Sequence, residues 1–170
     1  SEKEIIPFKE KYTSKLIQYE AGYLSTDDFL SGLCSLFTNN FSINCIEKAF
    51  SCIIREQIAG MIEFIRYFSS RCETALVSNT NEIHYNLCLT SCKSLQLLQK
   101  HYLSYQMLAV KPSFQFYEAI IKDQKALPSE LLFIDDSPEN VEAAKAAGMI
   151  TVQFKNIDQL KIALVNEGFL

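Results

Sequence analysis

Residues 131–148 read LLFIDDSPENVEAAKAAG, and the reading of this stretch decides the fold. Leu131, Leu132, Phe133 and Ile134 form a short continuous apolar run, the pattern of a strand buried on both faces of a parallel sheet. Asp135 and Asp136 follow at once, so two carboxylates stand at the strand's C-terminal end, where open α/β sheets bind ligands. Ser137 suits the N-cap of a following helix and Pro138 its first position. Val141, Ala143, Ala144 and Ala147 continue in helical register, and Gly148 can end the helix. Paired carboxylates repel, and a cation beside them removes that cost. Hard oxygen ligands at a strand end suit Mg²⁺, which keeps several waters and bridges to phosphate. The alternative is that Asp136 and Ser137 serve only to start the helix.

Composition bounds the classes. With 170 residues, 48% hydrophobic and 21% charged, the chain can bury a sizeable core as one domain, or one domain with a small insert. No stretch is long and apolar enough to span a membrane, and the opening Ser-Glu-Lys-Glu is not a signal peptide. A net charge of −4, with basic residues scattered, leaves no footprint for nucleic acid. Cys34, Cys45, Cys52, Cys72, Cys88 and Cys92 lack C-x-x-C spacing, which argues against zinc. They read as reduced thiols of a cytoplasmic protein, most of them buried as small hydrophobes.

Working outward, residues 1 to about 55 read as helical throughout. Ile5, Ile6, Phe8, Tyr12, Leu16 and Ile17 recur every three to four positions, and Gly22 breaks the run. Ser25 to Asp28 resembles a capping box, which gives Asp27 and Asp28 a structural explanation. Phe29, Leu30, Leu33 and Phe37 form an apolar stripe. Thr38-Asn39-Asn40 reads as a turn before a helix with Ile43, Ile46, Phe50 and Ile53. From about Glu56 helix and strand alternate. Ile58, Met61, Ile62, Ile65 and Phe68 make an amphipathic helix, and Thr74 to Val77 a short buried strand. A helix follows from about Glu82 with Ile83, Leu87 and Leu89. Tyr102, Leu103 and Tyr105 mark a weaker strand, and Lys111-Pro112 opens a helix with Phe114, Tyr117, Ile120 and Ile121. After residues 131–148 come a strand from Ile150 to Phe154 and a helix to about Glu167. Strands alternating with helices predict βαβ units and a parallel sheet. His84 and His101 read as packing or surface residues.

Three sites then fall at strand ends or in the following loops: Ser78 with Asn79, Lys111, and Asp135 with Asp136. A hydroxyl, an amide, an ammonium and a carboxylate pair suit phosphate and magnesium. Ala75-Leu-Val-Ser-Asn-Thr80, Val110-Lys-Pro-Ser113 and Leu132-Phe-Ile-Asp-Asp-Ser-Pro138 resemble the second, third and fourth motifs of the haloacid dehalogenase-like hydrolases, in the family's order. Gln18-Tyr-Glu-Ala-Gly-Tyr-Leu-Ser25 resembles the small helical cap these enzymes insert early.

The resemblance implies a doubly wound, parallel, Rossmann-like α/β sheet at residues 56–170 and a helical cap at residues 1–55. It also implies a Mg²⁺-dependent phosphatase of small phosphorylated metabolites, of the sugar-phosphate or phosphoglycolate type. By that resemblance Ser78 and Asn79 would bind the transferring phosphoryl group, and Lys111 would hold phosphate and nucleophile in place. Asp135 would ligate Mg²⁺, with Asp136 as second ligand or outer-shell partner, and the reaction would pass through an aspartyl-phosphate. A 2-haloacid dehalogenase, a phosphomutase and a pseudoenzyme or interaction module are the other readings. Asp135 with Asp136 favours the metal-using phosphatase over the dehalogenase.

The family's first motif, a strand ending in the nucleophilic aspartate, has no match here. Besides Asp135 and Asp136 the chain has Asp27, Asp28, Asp123 and Asp158, and none of these four follows a buried strand. In the family that strand lies between the Ser78 strand and the Asp135 strand. Each buried backbone group left unpaired costs about 1–3 kcal/mol, and a domain's net stability is only about 5–15 kcal/mol. The expectation is therefore that the central first strand is absent from these residues and comes from an upstream segment.

Overall fold

The computed structural model describes residues 2–37 and 41–170, with side chains from Lys9 onward. The expected turn at Thr38-Asn39-Asn40 lies outside the described residues, as do the side chains of Ile5, Ile6 and Phe8. The chain divides into two compact units, residues 1–110 and 111–170. No helix among the described residues is long and apolar enough to cross a membrane.

The first unit opens with three helices: α1 (Glu2–Glu20), α2 (Thr26–Leu36) and α3 (Ile43–Ser51). Their apolar stripes meet in a core of Tyr19, Phe29, Leu30, Leu33, Ile46 and Phe50. Tyr19 stacks on Phe29 with ring centroids 4.3 Å apart, and Phe29 meets Phe50 at 5.0 Å. Gly22 ends the first helix at φ 79, where a Cβ would also lie 2.1 Å from the Tyr105 carbonyl oxygen, so two constraints demand glycine. Ser25 caps α2 by accepting from the Asp28 N–H at 3.1 Å. It also donates to the Asp28 carboxylate at 2.7 Å, in place of the return bond to its own backbone that a full capping box would make.

The rest of this unit is α4 (Met61–Ser69), β1 (Ala75–Ser78), α5 (Glu82–Ser91), β2 (Lys100–Leu103) and the single turn α6 (Ser104–Met107). β1 and β2 run parallel, with Ser78 opposite Leu103. Tyr105, expected in the strand, belongs to α6, because β2 ends one residue after Tyr102. Ile53 and Ile58 fall outside their expected helices and are exposed. Gly60, left-handed at φ 80, sets the start of α4.

The second unit holds α7 (Phe114–Gln124), β3 (Leu132–Asp135), α8 (Pro138–Ala146), β4 (Ile150–Gln153) and α9 (Ile157–Asn166). β3 and β4 are parallel, with Asp135 opposite Gln153. Phe116, Tyr117, Phe133, Ala144, Leu160 and Leu164 form its buried interior.

The α/β class with parallel strands holds. The strands form two two-stranded sheets, β1–β2 and β3–β4, rather than one. That division accords with the expectation that the strand joining the Ser78 and Asp135 strands is not among these residues. It also corrects the expected burial. Among the described residues each strand has a single partner, so β1 is half-buried throughout and in β3 only Phe133 is buried. The thiols depart from expectation too. Cys34 is buried, Cys45, Cys52 and Cys72 are exposed, and Cys88 and Cys92 are half-buried. The exposed ones lie off the apolar stripes that make the core. His84 is buried, and the half-buried His101 shares a hydrogen bond with Tyr85 at 2.5 Å, so both histidines pack.

Candidate active site

The apolar run from Leu132 to Ile134 pairs with β4 and delivers Asp135 to the C-terminal end of β3. Lys111, three residues before α7, places its ammonium 2.6 Å from Asp135 Oδ2, with both side chains only 7% exposed. The other oxygen, Oδ1, accepts from the Ser137 N–H at 2.9 Å and from Asn140 Nδ2 at 3.0 Å. Ser137 caps α8 and Pro138 takes its first position, which carries Asn140 back toward the carboxylate within the first turn.

The electrostatics follow from this shell. Burial pushes the Asp135 carboxyl up, but the hydrogen bonds from Lys111, Asn140 and the Ser137 N–H, with the charge of Lys111, outweigh it. The net effect holds the group below the usual carboxylate range. Asp135 is therefore an anion at neutral pH. Tyr117 lies close enough that burial first, and the Asp135 charge second, push its phenol up to about 12. Its hydroxyl donates to the Asn140 carbonyl at 3.0 Å. The tyrosine thus stays protonated and braces the turn that carries Asn140.

Asp136 does not share this shell. Its side chain is exposed, and its carbonyl accepts from Gln153 Nε2 at 3.1 Å. Asp136 lies one residue past the end of β3, so it is not held by the strand pairing that fixes Asp135. Asn140 was missed by the sequence reading. Its signal was there: an asparagine three residues after a Ser cap, on the turn that follows the acidic strand end.

The donor set at Asp135 suits a water-rich divalent cation. Among the described residues three donors occupy three of about four acceptor positions of the carboxylate, leaving one open. Among the described residues no three His, Cys, Asp or Glu side chains cluster, so an all-protein cage is not formed. Mg²⁺ needs none, because it binds through one or two carboxylates and completes its shell with water and phosphate.

Ser78 and Asn79 lie in the other unit, at the C-terminal end of β1. Ser78 is half-buried and its hydroxyl donates to the Asn79 carbonyl at 3.4 Å, while Asn79 is exposed. The next two residues are held by groups the sequence reading did not single out. Ser104 Oγ accepts from the Thr80 N–H and donates to the Thr80 carbonyl, both at 3.0 Å. Asn81 Oδ1 caps α5 through the His84 N–H at 3.1 Å, and its Nδ2 lies 3.0 Å from His84 Nδ1.

The chain is similar to several known proteins. A D-ribitol-5-phosphate phosphatase of Bacteroides thetaiotaomicron is 28% identical over 145 residues, covering 82% of this chain and 70% of the relative. A HAD family enzyme from the same organism, solved as a magnesium complex, superposes with a TM-score of 0.80 at 26% identity, covering 86% of this chain and 77% of that one. The wild-type form of that enzyme in complex with magnesium and inorganic phosphate gives 0.77 at 23% identity, covering 90% of this chain and 85% of that one. The model of the haloacid dehalogenase-like hydrolase family matches residues 4–154. This chain belongs to the haloacid dehalogenase-like hydrolases.

Proposed function

We propose that the chain serves a Mg²⁺-dependent phosphatase of small phosphorylated metabolites, with a phosphorylated sugar or polyol as the substrate class. The observation that carries this reading is the nearly buried Lys111–Asp135 pair at the end of β3. A fixed cation beside a fixed anion at a strand's C-terminal end suits a metal-bound phosphate, and the similarity to a polyol-phosphate phosphatase supports the substrate class.

In this reading Asp135 takes the metal through its open acceptor position, and Asp136, exposed next to it, holds a metal-bound water or ligates directly. Bound there, Mg²⁺ would add positive charge against the phosphoryl oxygens. Lys111 keeps Asp135 ionised and oriented and presents the rest of its charge to the phosphate. Ser78 and Asn79 bind the phosphoryl group with the main-chain N–H groups that follow β1. Residues 1–55 act as a helical cap over a core at residues 56–170.

The nucleophile lies outside the described residues. Asp27 and Asp28 stand in the first turn of α2, Asp123 is on α7 and Asp158 is in the first turn of α9, so each sits on a helix rather than at a strand end.

The test is phosphate release from sugar and polyol phosphates by the full-length protein, with Mg²⁺ and with a chelator. Release that requires the metal and is lost in Asp135→Asn supports the reading. Release that survives in Asp135→Asn breaks it, and no release from the wild type points to a binding module instead.

A further inference from the structure

Asn81, His84 and Ser104 are among the few polar residues that the described structure buries, at 0%, 6% and 0% exposure, and all three bear on one short segment, Ser78 to Asn81. Buried polar groups cost free energy unless fully paired, and where fully paired they fix a single conformation. Here each is paired. The Ser104 hydroxyl meets both the N–H and the carbonyl of Thr80. The strand ladder stops at Ser78 opposite Leu103, and the side chain of the next residue of β2's run replaces the main-chain bond that a longer strand would make. Asn81 uses both ends of its amide on His84. With Asn81 Nδ2 donating to Nδ1, the imidazole proton sits on Nε2, which donates to the Phe50 carbonyl at 3.0 Å. The Phe50 ring stacks on His84 with centroids 4.2 Å apart, which anchors the pair in the helical core.

Helix capping accounts for Asn81 Oδ1 alone. It does not account for the second bond of the Asn81 amide, and the Ser104 bonds to Thr80 do nothing for α5. Their common effect is to pin the chain on the far side of Asn79, while the strand ladder pins it before. We propose that Ser104 and the Asn81–His84 pair are positioning residues for a phosphoryl-binding loop at Ser78 and Asn79. They hold the loop's hydroxyl and main-chain N–H groups in one arrangement before phosphate arrives, so no ordering is left for the binding step. This rests on the reading of Ser78 as a phosphoryl-binding residue.

The experiment uses the full-length protein with inorganic phosphate and Mg²⁺, titrated calorimetrically, together with hydrogen exchange at the Thr80 amide. Ser104→Ala removes the partner of both Thr80 groups. The expected result is faster Thr80 exchange and phosphate affinity weaker by about tenfold, with both restored in Ser104→Thr. Asn81→Asp keeps the cap oxygen and removes the donor to His84. It is expected to weaken phosphate binding in the same direction, and it carries the test if Ser104→Ala does not fold. Unchanged phosphate affinity in folded Ser104→Ala and Asn81→Asp, beside a loss of binding in Ser78→Ala, overturns the inference and leaves the function standing. Unchanged affinity in Ser78→Ala overturns the reading on which both rest.

Discussion

The two strand ends are organised by opposite means. At the end of β3 an ammonium 2.6 Å from a carboxylate dominates, with two neutral donors on the other oxygen. At the end of β1 the fixed groups are neutral, a hydroxyl on Thr80 and an amide on His84. The first arrangement makes charge available at a defined point. The second makes shape available, because it orders main chain without placing a charge there. A site for a metal-bound phosphate needs both, a charged partner for the cation and a preformed cradle for the anion's oxygens. Under the proposed function the two tasks would fall to separate strands, and disturbing one end is expected to leave the other intact.

The largest effect should come from breaking the charge pair. The Lys111 and Asp135 side chains are each only 7% exposed as a pair, and Lys111→Ala leaves the Asp135 carboxylate without its ammonium partner. Removing one partner of a buried pair costs about 3–5 kcal/mol, so urea unfolding of Lys111→Ala should show a loss of that size. A loss below about 1 kcal/mol is the range of a solvent-screened surface pair. It would mean that the β3 end is no more strongly electrostatic than the surface, and the contrast with β1 would collapse.

How legible each end was in the sequence follows from the same contrast. The β3 end was nearly all readable, because strand, acids, cap and helix lie within residues 131–148 and Lys111 is marked by the proline after it. What misled was adjacency. Asp135 and Asp136 read as equivalent, but Asp135, the last residue of β3, sits in the Lys111 shell, while Asp136, one residue past the strand, is exposed. The apolar run likewise suggested burial on both faces, which a strand with one neighbour does not reach. At β1, Ser78 and Asn79 were legible as a strand-end motif. Ser104 was not, because it lies 24 residues from Thr80 and reaches it only through the β1–β2 register. A lone serine between Leu103 and Tyr105 carries no local signal of that role, and the alternation of Tyr102, Leu103 and Tyr105 made it look like strand.

Acid should separate the two ends more gently. The Asp135 carboxyl is held below its ordinary value of 3.8 in the folded chain. The stability it contributes is therefore fully present above that ordinary value and is lost as pH falls through the lower, folded value. Unfolding free energy should decline as pH is taken from 5 to below 3.8, and Asp135→Asn should make the decline shallower. In the same window the Ser137 amide signal should move, because it donates to Asp135, while the Thr80 amide, bonded to a hydroxyl, should stay where it is. Both signals moving together would show that the ends are coupled rather than separate.

The smallest effect on the fold, and the sharpest on the division of labour, belongs to Asp136→Asn. The side chain is exposed, so removing its charge should change stability by no more than about 0.5 kcal/mol. Its worth, if it holds the metal or a metal-bound water, lies elsewhere. A second carboxylate next to Asp135 raises the local negative charge without entering the Lys111 shell, and outer-shell partners of this kind typically govern about 10- to 100-fold in metal affinity. Calorimetric titration with Mg²⁺ should therefore show affinity reduced by about tenfold in Asp136→Asn while urea unfolding is unchanged. Unchanged Mg²⁺ affinity would confine the metal to Asp135 and reduce Asp136 to a solvated helix-start residue. The β3 end would then work with one carboxylate, its ion pair and bound water, and the contrast with β1 would rest on Lys111 and Asp135 alone.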